Sequence, residues 1–201
     1  MNPATHFPRR GSSLAETVVA VAIVALLAAV AVPELAQVRS RARVEAGARE
    51  VASLFHKCRS QAVSRSRSVA VKFERQGNSY LYAVYEDTNG DGIKISDIAS
   101  GADRLVAGPS HIGDSAQGVE FSILQRPPIH KIPPQSGSIT NMSDPIQFGS
   151  LDLVSFTPLG SATSGTAYLS DGDHMQAVVL YGPTGRTRVW RYVNEQNRWV
   201  Q

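Results

Sequence analysis

The chain is poor in the residues that would make it a disulfide-stapled or catalytic protein. A single cysteine in 201 residues, Cys58, excludes an internal disulfide framework. Charged residues make up only 18% and aromatic residues 7%, yet a hydrophobic content of 42% excludes disorder as the main state. His6, His56, His111, His130 and His174 are scattered, no Cys or His falls at zinc spacing, and neither a Gly-x-Ser-x-Gly nor a Walker sequence occurs. Catalysis is therefore not expected. The length suits one folded domain plus an appendage.

The formal net charge of +3 hides a segregated pattern. Residues 39–75 carry ten basic residues against Glu45, Glu50 and Glu74. Residues 76–185 reverse the sign, with eleven acidic groups against Lys94, Arg104, Arg126 and Lys131. The last residues turn basic again at Arg186, Arg188, Arg191 and Arg198.

The N-terminus is polar through Arg9-Arg10-Gly11, after which residues 17–32 form sixteen consecutive uncharged, mostly apolar positions. At ~1.5 Å per residue the run is roughly 24 Å long, enough to reach bilayer thickness once residues 12–15 are added. Arg9 and Arg10 would hold the leader on the cytoplasmic side. Three readings compete. A secretory signal would be cut after Ala31, since Ala29-Val30-Ala31 satisfies the small-x-small rule. A plain anchor is the second. The third accounts for Glu16, an ionisable group at the head of the apolar run that calls for a positive partner.

The stretch Arg10-Gly11-Ser12-Ser13-Leu14-Ala15-Glu16, followed by the apolar run and Pro33, resembles the class III signal of type IV prepilins and type II secretion pseudopilins. In that family a prepilin peptidase cuts after the glycine and methylates the new amino terminus. The resemblance implies processing between Gly11 and Ser12, with Ser12 standing where the family usually has Phe. It implies that Glu16 neutralises the terminal ammonium of a neighbouring subunit during filament assembly, and that Pro33 kinks or loosens the long helix.

Beyond Pro33, residues 34–66 hold no Gly or Pro except Gly47. Val44, Ala48, Val51, Leu54, Phe55, Cys58 and Ala62 recur at steps of three and four, one apolar stripe of a helix, with arginines on the other faces. From residue 68 the period becomes two. Val69, Val71 and Phe73 alternate, residues 76–79 supply a turn, and Tyr80, Tyr82 and Val84 follow as a hairpin. Further strands are expected at Gly118–Leu124, Leu151–Phe156, Thr166–Leu169, Met175–Tyr181 and Thr187–Val193. Five prolines in residues 125–150 predict a long surface loop. The order predicts an α+β fold: a long N-terminal helix, half membrane and half amphipathic, packed on an antiparallel β-sheet domain.

Three further segments resemble the GspH/FimT family of minor pseudopilins and pilins: Leu54–Ala62 ending in Ser68-Val69-Ala70-Val71, Phe156-Thr157-Pro158-Leu159-Gly160, and Gly185-Arg186. The pilin-like organisation implied is a leader at 1–11, a transmembrane and filament-core helix at 12–33, an amphipathic spine at 34–67 and a periplasmic β-rich domain at 68–201. The expected protein is a single-pass inner-membrane subunit of a type II secretion or type IV pilus filament. Its partners would be other pilins or pseudopilins and the prepilin peptidase, and its β-domain would face the periplasm or lie in the filament.

Two constellations carry candidate chemistry. Asp87, Asn89 and Asp91, with Gly92 at the sixth position, match the start of an EF-hand-like calcium loop. The twelfth position is Ile98, and the nearest acid, Asp97, comes one residue early. The alternative is an Asx-rich turn that needs no cofactor. In the second, a strand at 186–193 would place Arg186, Arg188, Trp190 and Tyr192 on one face, cations interleaved with rings that suit phosphates and bases. Gly185-Arg186-Thr187-Arg188 resembles the Gly-Arg-x-Arg element of FimT-type minor pilins implicated in DNA capture. The alternative is buried rings with solvated arginines, or arginines paired with the acidic middle of the chain. The basic helix face likewise fits either lipid headgroups and neighbouring acidic subunits or plain solvation.

Overall fold

The computed structural model describes residues 14–126 and 128–201. Helix α1 runs Leu14–Arg65, 52 residues. Alanine is its most frequent residue, which favours helix, and its valines lie mainly in the first half. It ends where Ser66 adopts φ +52 and the Arg67 N–H turns back to the carbonyl of Ala62 at 3.2 Å. The chain divides between Arg39 and Ser40 into two compact units, so the helix contributes to both. In the first, apolar side chains such as Leu26 (71%) and Leu27 (67%) are exposed. In the second, Val44, Ala48, Val51, Phe55, Cys58 and Ala62 are buried, the stripe that the spacing predicts; Leu54 is only partly buried.

Strands β1 (Val69–Gln76) and β2 (Ser79–Glu86) pair as a hairpin whose register closes at Gln76 opposite Ser79, with Gly77 at φ +64 in the turn. β3 (Arg104–His111) lies beside β2, and β6 (Leu153–Phe156) beside β1, giving a sheet of order β3-β2-β1-β6. β4 (Glu120–Phe121), β5 (Ile146–Gln147), β7 (Gly165–Ser170), β8 (Met175–Tyr181), β9 (Arg186–Val193) and β10 (Arg198–Val200) form the second sheet. Its order is β10-β9-β8-β7-β4, with β5 also on β7. All pairings are antiparallel. The α+β architecture is as the order of elements predicts.

One face of each sheet closes on the helix stripe. Phe55 meets Phe148 edge-on at 5.8 Å between ring centres and Phe156 at 6.0 Å, and Phe73 meets Phe121 at 5.3 Å. Such pairs add about 0.5–1.5 kcal/mol each beyond burial. Gly47 lets the helix approach closely: a Cβ there would stand 3.3 Å from both Ala116 Cβ and Val119 Cγ1.

The other face of the second sheet carries a separate core, and here the surface-loop expectation for 125–150 is corrected. Ile129, Ile132 and Ile139 are buried against Tyr168, Met175, Ala177, Tyr192 and Trp199. Backbone bonds between Ile129 and Ile139 and between Lys131 and Gly137, with Trp199 Nε1 donating to the His130 carbonyl at 2.7 Å, fasten the segment. Apart from β5 and a single bridge between His130 and Ser138, the proline-rich segment stays outside the ladders, and the isoleucines between its prolines supply a lid. β3, β5, β10 and the short helix α2 (Ile95–Ser100) were not expected from the spacing. β3 contains Gly108-Pro109 and six exposed positions, so it reads as a turn although it forms a sheet edge.

Candidate functional site: the assembly helix and the basic strand face

Alternation along β9 places Arg186, Arg188, Trp190 and Tyr192 on one face. The register sets Tyr181 opposite Arg186, Val179 opposite Arg188 and Ala177 opposite Trp190. Both arginines are exposed, Trp190 is half-buried and Tyr192 is buried. The Tyr192 ring lies 5.1 Å from Trp199 and its hydroxyl donates to Asn197 Oδ1. Arg186, Arg188 and Trp190 line a groove of about 410 Å³ with Pro133, Pro134 and Tyr181. Tyr192 belongs to the core, while the arginines reach solvent beside Trp190. Among the described residues neither arginine takes part in an ion pair, so pairing with the acidic middle of the chain is not what occupies them.

The turn before β9 is fixed from beneath. Gly185 has φ +59, and a Cβ there would lie 2.5 Å from the Gly160 carbonyl and 2.7 Å from Arg59 Cδ. Arg59 Nε donates to that carbonyl at 2.9 Å. Phe156–Gly160 and Gly185-Arg186, far apart in sequence, thus meet on one arginine of the helix.

The basic helix face is partly spent inside the domain. Arg65 and Arg104 share Glu86, the former at 2.8 Å, and Arg67 donates to the carbonyls of Asp87 and Thr88 at 3.1 and 3.0 Å. Hydrogen bonding from Arg104 lowers the Glu86 pKa against the opposing effect of burial, with Arg65 adding to the shift. Arg41 and Arg43 are exposed.

Asp87 accepts from the N–H groups of Gly90 at 2.7 Å and Gly92 at 2.9 Å, and Asn89 accepts from Asp91 N–H at 3.2 Å. Lys94 Nζ pairs with Asp91. These are the Asx turns of the alternative reading, and they also hold Asp87, Asn89 and Asp91 on one loop. As they stand, no three His, Cys, Asp or Glu side chains among the described residues converge for a metal ion.

Sequence spacing gave no sign of a contact between Ser40 and the turn after β7. The Ser40 hydroxyl donates to Asp171 and lies 3.2 Å from His174 Nδ1. Ser and Asp face the same ring nitrogen, 3.8 Å from Asp171 on the carboxylate side, so the group is a clasp rather than a nucleophile relay, in which the serine and the acid occupy opposite ring nitrogens. Partners more than 130 residues apart leave no local signal.

Gly11 and Ser12 lie outside the described residues. Glu16 sits in the first turn of α1 and Pro33 within the same helix. Among the described residues α1 is the one helix long and apolar enough to cross a membrane, a property that signal sequences near an N-terminus share.

A family model described as type II transport protein GspH matches residues 47–185, more than half of the chain. The chain belongs to the GspH family. No curated protein and no solved structure matches it. The GspH match begins in the buried spine and ends at the Gly185 turn, so it covers the elements that build the α+β core. Membership makes the chain a pseudopilin of type II secretion in general, a structural component that associates with other pseudopilins. The family and the apolar helix are consistent with a single-pass inner-membrane protein.

Proposed function

We propose that this GspH-family chain is a minor pseudopilin that enters a secretion filament through α1. The carrying observation is the change of character along one helix: apolar side chains exposed up to Val38, then a stripe buried in the β-domain from Val44. The first half is suited to lipid and then to the packed helices of a filament; the second is the domain's spine. A prepilin peptidase cuts between Gly11 and Ser12, leaving residues 12–33 as anchor and filament core, 34–67 as spine and 68–201 as the periplasmic domain. Glu16 then pairs with the new terminal ammonium of an adjacent subunit, setting its register. No catalytic role is assigned.

Mass spectrometry of the mature N-terminus tests this reading. A start at Ser12 is expected. A start at Val32 would mean export as a soluble protein and would remove both Glu16 and the anchor.

A second reading rests on a separate observation, the exposed Arg186 and Arg188 beside Trp190. Such a face suits DNA capture by a FimT-like minor pilin of a type IV pilus, phosphates on the guanidiniums and a base against the indole. Gel shifts with duplex DNA should weaken steeply as salt rises and fail when both arginines become alanine. Absence of binding at low salt removes this reading and leaves the first intact.

A further inference from the structure

Alternation along β9 puts Val189, Arg191 and Val193 on the face opposite Trp190 and Tyr192, and Val189 packs against the core that α1 closes. Arg191 therefore lies on the helix side of the sheet, exposed, with Gln176 opposite it in register. Together with Arg41 of the helix it lines a cavity of about 120 Å³, shared with His174, Gln176, Asn194 and Glu195. That is well below the roughly 300–1,000 Å³ of sites for drug-sized ligands, so a compact polar group fits it. Among the described residues neither Arg41 nor Arg191 takes part in an ion pair. The acids nearby are committed: Asp171 accepts from the Ser40 hydroxyl and from the His174 N–H at 2.8 Å, and Asp173 pairs with Arg126 at 3.1 Å. The Nδ1 side of His174 is taken by the Ser40 clasp. Among the lining residues Glu195 is the one acid, and it is exposed. Two guanidiniums against one solvated carboxylate leave a cationic pocket, and guanidinium forks match phosphate oxygens.

The sequence around Arg41 points to where such a phosphate comes from. The exposed apolar run in the first half of α1 ends at Val38, three residues before Arg41. Three residues of chain reach at most ~11 Å, so once that run is embedded Arg41 stands beside the lipid headgroups. Arg39 and Arg43 add positive charge along the same stretch, in which no acid falls between Glu34 and Glu45. We infer that this cavity seats the headgroup phosphate of an acidic phospholipid, held by Arg41 and Arg191 with the Gln176 amide as a further donor. The inference rests on the reading of α1 as a membrane anchor. It gives the waiting subunit a headgroup contact that holds the β-domain against the bilayer, and entry into a filament has to release that contact.

The test places the full chain in phosphatidylcholine vesicles containing about 30 mol% phosphatidylglycerol. Resistance to an alkaline carbonate wash reports insertion, and native mass spectrometry of the inserted chain, released in mild detergent, counts the lipids it retains. Phosphatidylglycerol should be enriched at least fivefold over its share in the vesicle. Arg41→Gln/Arg191→Gln should insert normally and lose that enrichment, whereas Arg75→Gln/Lys131→Gln, which removes the same charge outside the cavity, should keep it. If the double variant of the cavity does not fold, Arg41→Gln alone should at least halve the enrichment. Insertion without enrichment overturns the headgroup site and leaves the anchor standing, as does enrichment unchanged in the cavity variants. A chain that washes out of the vesicles removes the anchor reading and the site together. Calorimetric binding of inorganic phosphate to wild type, with no lipid enrichment, would make the cavity a free-anion site and overturns the inference as well.

Discussion

Arg59 on the helix and Gly160 in the turn after β6 are joined by a 2.9 Å hydrogen bond from the arginine Nε to the glycine carbonyl, and Gly185 packs directly on that bond. The node ties the spine to the turn that presents Arg186. Gly185→Ala places a methyl 2.5 Å from the Gly160 oxygen on a backbone at φ +59. It should cost about 1–3 kcal/mol, read as a melting point lowered by about 2–4 °C per kcal/mol for a domain of this size. A melting temperature equal to wild type would show that the turn is not held in this way.

The Ser40 clasp should register in acid. Burial opposes the charged form of Asp171, but hydrogen bonds from the Ser40 hydroxyl and from the N–H groups of His174 and Asp173 outweigh it and lower its pKa. A carboxylate lowered in the folded state adds stability that is present above its unfolded value, near 3.9, and is lost as pH falls through the folded value. Asp171→Asn should therefore be less stable than wild type at pH 6, with the difference closing below about pH 4. A gap that does not narrow at all as pH falls below about 4 would place the effect in packing instead of charge.

Cys58 offers a probe of the spine. It is 1% exposed and burial pushes its thiol up to about 12. Thiolate is the reactive species, so the folded chain should resist maleimide at pH 7.5 for hours and react within minutes in denaturant. Rapid labelling without denaturant would mean that the helix does not stay docked.

The contrast between what spacing revealed and what it hid has a physical basis. Val44 to Ala62 were legible because a helix that buries one face must repeat at three and four residues, and Met175–Tyr181 because a strand buried on both faces leaves an apolar run. β3 was hidden because an edge strand tolerates Gly108-Pro109, and the burial of Ile129, Ile132 and Ile139 because proline density masks a segment that needs no ladder. The candidate sites divide the same way. Arg186 and Arg188 share a face by local alternation, whereas Ser40 joins Asp171 only through tertiary contact.

Glu16 is where the filament reading meets its hardest expectation. An acid at the head of an apolar helix costs roughly 2.5 kcal/mol or more at mid-membrane, and less near an end. That cost is offset when the carboxylate meets an ammonium on the neighbouring subunit. Glu16→Gln keeps the shape and removes the charge, so membrane insertion and cleavage after Gly11 should proceed while recovery in sheared filaments falls at least tenfold. Glu16→Asp, which keeps the charge on a shorter arm, should restore part of it. Filament recovery unchanged in Glu16→Gln, with cleavage intact, would show that the charge does not direct assembly and that the helix enters the filament by apolar packing alone.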